Sequence, residues 1–217
     1  MIALFRKEIS IFFSSLIGYL IIGIFLIINS ILLWSDFSDV NILSYGYADM
    51  DIFFSTAPIF FLLFIPALSM RVFSEEYTSG TIEILISKPI SSLKIILAKF
   101  LAVFSLVLFT IFFTLIYVVT LYVLGESVGN LDLASIIGSF FGLILLCGLF
   151  SSISVYASSI SSNQIISFVF AILLCTLFYF GFDFLSEFVF FQNFDLIIQQ
   201  IGISFHYEMM SKGLVKL

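Results

Sequence analysis

Apolar positions run in long continuous blocks separated by short polar breaks, instead of alternating along the chain. A helix crosses the ~30 Å hydrocarbon core of a bilayer with roughly 20 mostly apolar residues. Inside that core only helices and closed barrels satisfy every backbone N–H and C=O, and unbroken apolar runs are helical. The pattern therefore predicts an all-α polytopic membrane helical bundle, with 1–217 as a single transmembrane domain. Five spans are expected: 16–34, 52–70, 100–124, 136–160 and 165–185. The second is interrupted by Pro58 and Pro66, and Leu93 to Lys99 form a less apolar foot to the third.

Ahead of the first span, Ile2, Phe5, Ile9 and Phe12 recur at helical spacing while Arg6, Lys7, Glu8 and Ser10 fall elsewhere on the wheel. Residues 1–15 are thus expected to be a helix lying along the bilayer surface. The apolar run behind it is too long for a cleavable leader, and no small-x-small site follows. After the fifth span, apolar residues interleave with Gln192, Asn193, Asp195, Gln199 and Gln200. The tail 188–217 reads as one or two short helices in the outer interface or dipping partly in. It ends where one more span could return the chain to the cytoplasm, so a sixth helix is expected to be either truncated from this sequence or absent.

Composition strengthens the membrane assignment. Of 217 residues, 62% are hydrophobic and 10% charged, against roughly 45–50% and about 25% in soluble domains. Lys+Arg 8 against Asp+Glu 14 gives −6, which argues against a nucleic-acid partner. Cys147 and Cys175 lie in apolar runs and read as small hydrophobes. Charge also sets orientation. With the N-terminus inside, Arg6, Lys7, Arg71, Lys88, Lys94 and Lys99 are cytoplasmic, and only Lys212 and Lys216 lie outside. Asp36, Asp39, Asp49, Asp51, Glu126 and Asp132 then occupy the outer loops.

Catalytic chemistry is nearly absent from the sequence. There is a single histidine, His206, beside Tyr207 and Glu208 in the tail. No Cys/His cluster suits a metal, and no phosphate loop is present. Asp183, near the outer end of the fifth span, is a candidate pathway residue because an intramembrane acid is a functional hypothesis by default.

The richest segment is the cytoplasmic loop 74–92. Gly80 can take the left-handed conformation that ends a helix. Thr81 can cap the next one, with Glu83 in its first turn. Pro89 forbids continuation, and Ser91 or Ser92 can cap the following span. Ile82, Leu85 and Ile86 would share one face of a short crosswise helix. So short a helix needs a partner, either the lipid surface or a groove on a cytoplasmic protein.

Arg71-x-Phe73-x-Glu75-Glu76-x-x-x-Gly80-Thr81-x-Glu83-x-Leu85, followed by Pro89 and Lys99, resembles the signature of ABC-2 type (type V) transporter permeases. The turn Ala157-Ser158-Ser159-x-x-Ser162-Asn163-Gln164 and the tail His206-Tyr207-x-x-x-x-Lys212-Gly213 resemble, more narrowly, the gliding-motility-associated ABC permeases of Bacteroidota. The resemblance implies six spans, a second permease subunit, and separate ABC ATPase subunits that hold ATP and Mg, with no cofactor on this chain. It makes Thr81 to Ile86 the coupling helix, with Arg71, Glu75, Glu76, Gly80 and Pro89 shaping its approach. Five spans depart from that pattern. The competing class is a membrane scaffold or channel subunit whose loop merely lies on lipid.

Overall fold

The computed structural model describes residues 1–35, 50–125, 131–187 and 195–211. Asp36, Asp39, Asp49, Glu126, Lys212, Lys216 and the tail stretches 188–194 and 212–217 lie outside the described residues. The described chain forms helices α1 (Ile2–Ser14), α2 (Leu16–Trp34), α3 (Asp51–Ser69), α4 (Arg71–Thr78) and α5 (Thr81–Ile86). It continues with α6 (Ser92–Leu124), α7 (Leu133–Ile160), α8 (Gln164–Glu187), α9 (Asp195–Ile201) and α10 (Ile203–Ser211). No strand occurs among the described residues. Four helical stretches are long and apolar enough to cross a membrane, and α1 with α2 makes up to five.

The chain turns by 69° between α1 and α2. Aromatic rings fix α2 on α3, with Phe25 lying 4.8 Å from Phe61 and 4.7 Å from Phe64 between ring centroids. Such tilted pairs add to the area they bury. Polar groups on α2 are satisfied locally or across helices. Asn29 Nδ2 donates to the Phe25 carbonyl at 2.8 Å, and Tyr117 Oη on α6 donates to the Leu26 carbonyl at 2.9 Å. The 33 residues of α6 extend about 50 Å, well beyond a hydrocarbon core. Its first two turns therefore form a foot at one end of the bundle.

Two proline positions leave α3 helical, but proline donates no N–H and so frees the carbonyl four residues earlier. At Pro58 that carbonyl belongs to Phe54, and Tyr207 Oη from α10 donates to it at 2.6 Å. A residue of the tail thus repairs the ladder of the second span.

The tail folds back onto the bundle. Gln199 Nε2 of α9 donates to Ser186 Oγ of α8 at 3.3 Å, and Ser139 Oγ of α7 donates to the Ser211 carbonyl at 3.0 Å. A Cβ on Gly142 would stand 3.0 Å from Met210 Cβ, so glycine here eases the close approach of α10 to α7. Gly142 lies about 14 Å along α7 from Leu133. This part of the tail dips into the bundle.

Small residues of α7 serve packing within the chain. Cys147 and Cys175 are buried free thiols, and Ser154 Oγ lies 3.6 Å from Cys175 Sγ.

Candidate functional site

The six described cations all sit on elements at one end of the bundle: α1, α4, the α5–α6 connection and the foot of α6. Asp51 and Asp132 stand at the starts of α3 and α7, at the opposite end. There Asp132 caps α7 by accepting from the Ala134 and Ser135 amides at 3.1 and 3.2 Å.

At the basic end, α4 continues α3 past Met70 and is held from three directions. Ser158 Oγ of α7 accepts from the Phe73 amide at 3.0 Å and donates to the Met70 carbonyl at 3.2 Å. Thr78 Oγ1 donates to the Ser162 carbonyl at 2.8 Å, binding the far end of α4 to the α7–α8 turn. The third tie is electrostatic. Glu76, buried on α4, lies 2.9 Å from Lys7 Nζ of α1 and 2.9 Å from Lys99 Nζ of α6.

Lys99 is the hub of this cluster. It is fully buried, sits 3.0 Å from Glu8 Oε1, donates also to the Val72 carbonyl, and lies 4.8 Å from the centroid of the Phe73 ring. A lysine without solvent is tolerable only when its protons are claimed, and here two carboxylates and a carbonyl claim them. Burial works against charge on Glu76, yet hydrogen bonds from Lys7 and Lys99 outweigh it and hold its pKa below the ordinary carboxylate value. Burial likewise opposes charge on Lys7, and the Glu76 carboxylate overcomes it, so the Lys7 pKa is raised. Together the four side chains clamp α1, α4 and α6.

Beyond Thr78 the chain turns at Gly80, whose φ of 69° is the left-handed conformation that glycine takes without strain. No side-chain cap bond forms at the start of α5; Thr81 Oγ1 instead meets Ser79 Oγ at 2.9 Å. Ser91 occupies the N-cap position of α6, also without a side-chain bond. The three apolar residues expected to share one outward face are divided. Leu85 is buried, Ile82 is half-buried, and Ile86 is 69% exposed, with Ile84 at 60% on the other side. The reason is local: α5 lies back toward α1, where Leu85 borders the same cleft as Ala3 and Leu4. Burying one leucine there stabilises an element too short to stand alone.

The profile of the ABC-2 family transporter protein matches residues 3–211. The chain belongs to the ABC-2 transporter family. No curated protein and no solved structure matches it. ABC-2 family members are membrane components of transporters, not their catalysts, and associate with an ABC ATPase.

Within this ABC-2 chain, Arg71, Glu75, Glu76, Gly80 and Thr81 to Ile86 form one continuous elbow, and Pro89 follows exposed in the connection to α6. Glu75 and Glu83 are exposed, whereas Glu76 points into the bundle. Asp183 is half-buried on α8 and does not border the cavity at the opposite end, where Asp51, Ser135, Tyr179, Tyr207 and Glu208 meet. Tyr207 donates to the Phe54 carbonyl and borders that cavity with Glu208, whereas His206 is exposed and does not line it. Among the described residues no group of His, Cys, Asp and Glu could hold a metal.

In the sequence Lys99 belongs to the motif without a role of its own, and Lys7 and Glu8 lie off the apolar stripe of the first helix with no partner indicated. The available signal was a lysine set in Leu97-Ala98-Lys99-Phe100 one turn inside an apolar run, since such a charge demands a partner.

Proposed function

We propose that this chain is the transmembrane permease subunit of an ATP-binding cassette transporter. In this reading α4, Gly80 and α5 pass the motion of a separate ATPase, which holds ATP and Mg, into the membrane bundle. The observation that supports it is the combination within one elbow. Its inner half is tied to α1, α6 and α7 through Glu76, Ser158 and Thr78, while its tip exposes Ile84 and Ile86. A push on the tip would reach these three helices together. Pro58 and Pro66 in α3 lower the cost of bending the helix directly above the elbow.

The chain works with a second permease subunit in the inner membrane of a bacterium, its N-terminus in the cytoplasm, and the gathering of cations at the elbow end supports that orientation. Gliding motility in Bacteroidota is the physiological use favoured by the resemblance of the Ser158 to Gln164 turn. Photo-crosslinking from position 86 in native membranes is the test. Adducts with a soluble protein carrying a phosphate loop and an ABC signature are expected. Adducts confined to lipid would overturn the coupling role and favour a scaffold or channel subunit.

A further inference from the structure

Between α1, the α3–α4 junction and α6 lies a cavity of about 180 Å³, many times the space one water needs. Its inner wall is apolar, built from Phe12, Ile21, Ala67, Leu68, Val103 and Leu106, and the charged residues that line it are Lys7, Glu8, Arg71, Glu75 and Glu76. Two of these charges, Arg71 and Glu75, stand outside the ion pairs. Lys7 and Lys99 are committed to Glu8 and Glu76. Arg71 has no carboxylate within ion-pair distance among the described residues, and its buried Nε makes no hydrogen bond. Glu75, one turn further along the same face of α4, is exposed and stands outside that distance. An orphaned guanidinium nitrogen is costly; Arg71 as a whole is half-buried and lines the cleft, so the rest of its guanidinium is open to an anionic group there.

We propose that this cleft binds one phospholipid with a primary-amine headgroup, a phosphatidylethanolamine, its phosphate on Arg71 and its ammonium on Glu75. Three properties select that ligand. Arg71 directly follows the apolar stretch of α3, which places it where a headgroup phosphate lies, and a guanidinium grips phosphate through paired hydrogen bonds. The apolar inner wall suits the start of the acyl chains and would be idle with free phosphate. A lipid lacking the amine would leave Glu75 facing the phosphate with nothing to neutralise it. The site is independent of ATPase docking, and its test uses no ATPase.

The full chain is placed in nanodiscs of equal parts phosphatidylethanolamine and phosphatidylglycerol, released, and weighed intact with its retained lipid by native mass spectrometry. Wild type is expected to keep one phosphatidylethanolamine in preference to phosphatidylglycerol. Arg71→Gln should lower retention about tenfold, the value of one lost charge-assisted hydrogen bond, and Arg71→Lys should lower it less. The exposed Glu75→Gln change leaves the fold undisturbed and should abolish the preference between the two lipids without abolishing retention. Equal retention of both lipids by wild type would overturn the assignment. So would an unchanged preference in Glu75→Gln, or thermal stabilisation of the delipidated chain by inorganic phosphate equal to that given by the lipid.

Discussion

Lys99 and Tyr207 show how single side chains carry long-range structure in this bundle. Lys99 joins three helices from a position without solvent, and removal of one member of a buried charge cluster costs about 3–5 kcal/mol because the others stay buried and unpaired. Lys99→Met is expected to lower the unfolding midpoint in detergent sharply, and the double change Lys99→Met with Glu8→Gln should recover part of the loss. Equal midpoints for wild type and Lys99→Met would refute the clamp. The same cluster gives a pH signature with a defined sign. Because the Glu76 pKa is depressed in the fold, its contribution is present above the ordinary value of 4.5 and is lost as pH falls through the folded pKa. Glu76→Gln should flatten the acid limb of a stability-versus-pH curve. Tyr207→Phe removes only the hydroxyl that satisfies the Phe54 carbonyl freed by Pro58. About 1–3 kcal/mol should be lost, read as a lower midpoint. Restoring the N–H with Pro58→Ala should relieve most of that loss.

Elements differ in how far the pattern of residues reveals them. Long apolar runs are legible as helices because a bilayer leaves their backbone groups no other partner: α2 covers Leu16–Trp34, α7 Leu133–Ile160 and α8 Gln164–Glu187. The elbow is legible at Gly80, where the left-handed turn leaves few alternatives. What pattern cannot resolve is which neighbour an amphipathic face meets. Lys7 and Glu8 look solvated on a wheel, yet Glu8 turns to Lys99 ninety-one residues away. Leu85 likewise looks outward with Ile82 and Ile86, yet it packs inward. That division changes which substitution reports on docking. Leu85→Asp buries a charge and should reduce the amount of folded protein. Ile86→Asp should leave folding intact and abolish recovery of the ATPase with the chain. Pull-down and size-exclusion profiles of the two variants separate these outcomes, and ATPase recovery unaffected by Ile86→Asp would remove the tip from the interface.

At the scale of the whole molecule, everything assigned to the elbow depends on which side of the membrane it occupies. The orientation proposed from the charge asymmetry has it in the cytoplasm, and the fold makes the test clean because both native cysteines are buried. A single cysteine at an exposed site therefore reports without background. Lys88→Cys, in the connection after α5, should react with a membrane-impermeant maleimide only after the inner membrane is opened. Asp132→Cys, at the start of α7, should react in cells whose outer barrier alone is permeable. The second change also removes the cap of α7, at about 1 kcal/mol, which a bundle of this size withstands. Reversed labelling would place Arg71, Lys88, Lys94 and Lys99 outside, and no nucleotide-driven partner could then reach Ile86. The same reversal would leave lipid retention at Arg71 untouched, since a headgroup phosphate lies at either face of a bilayer.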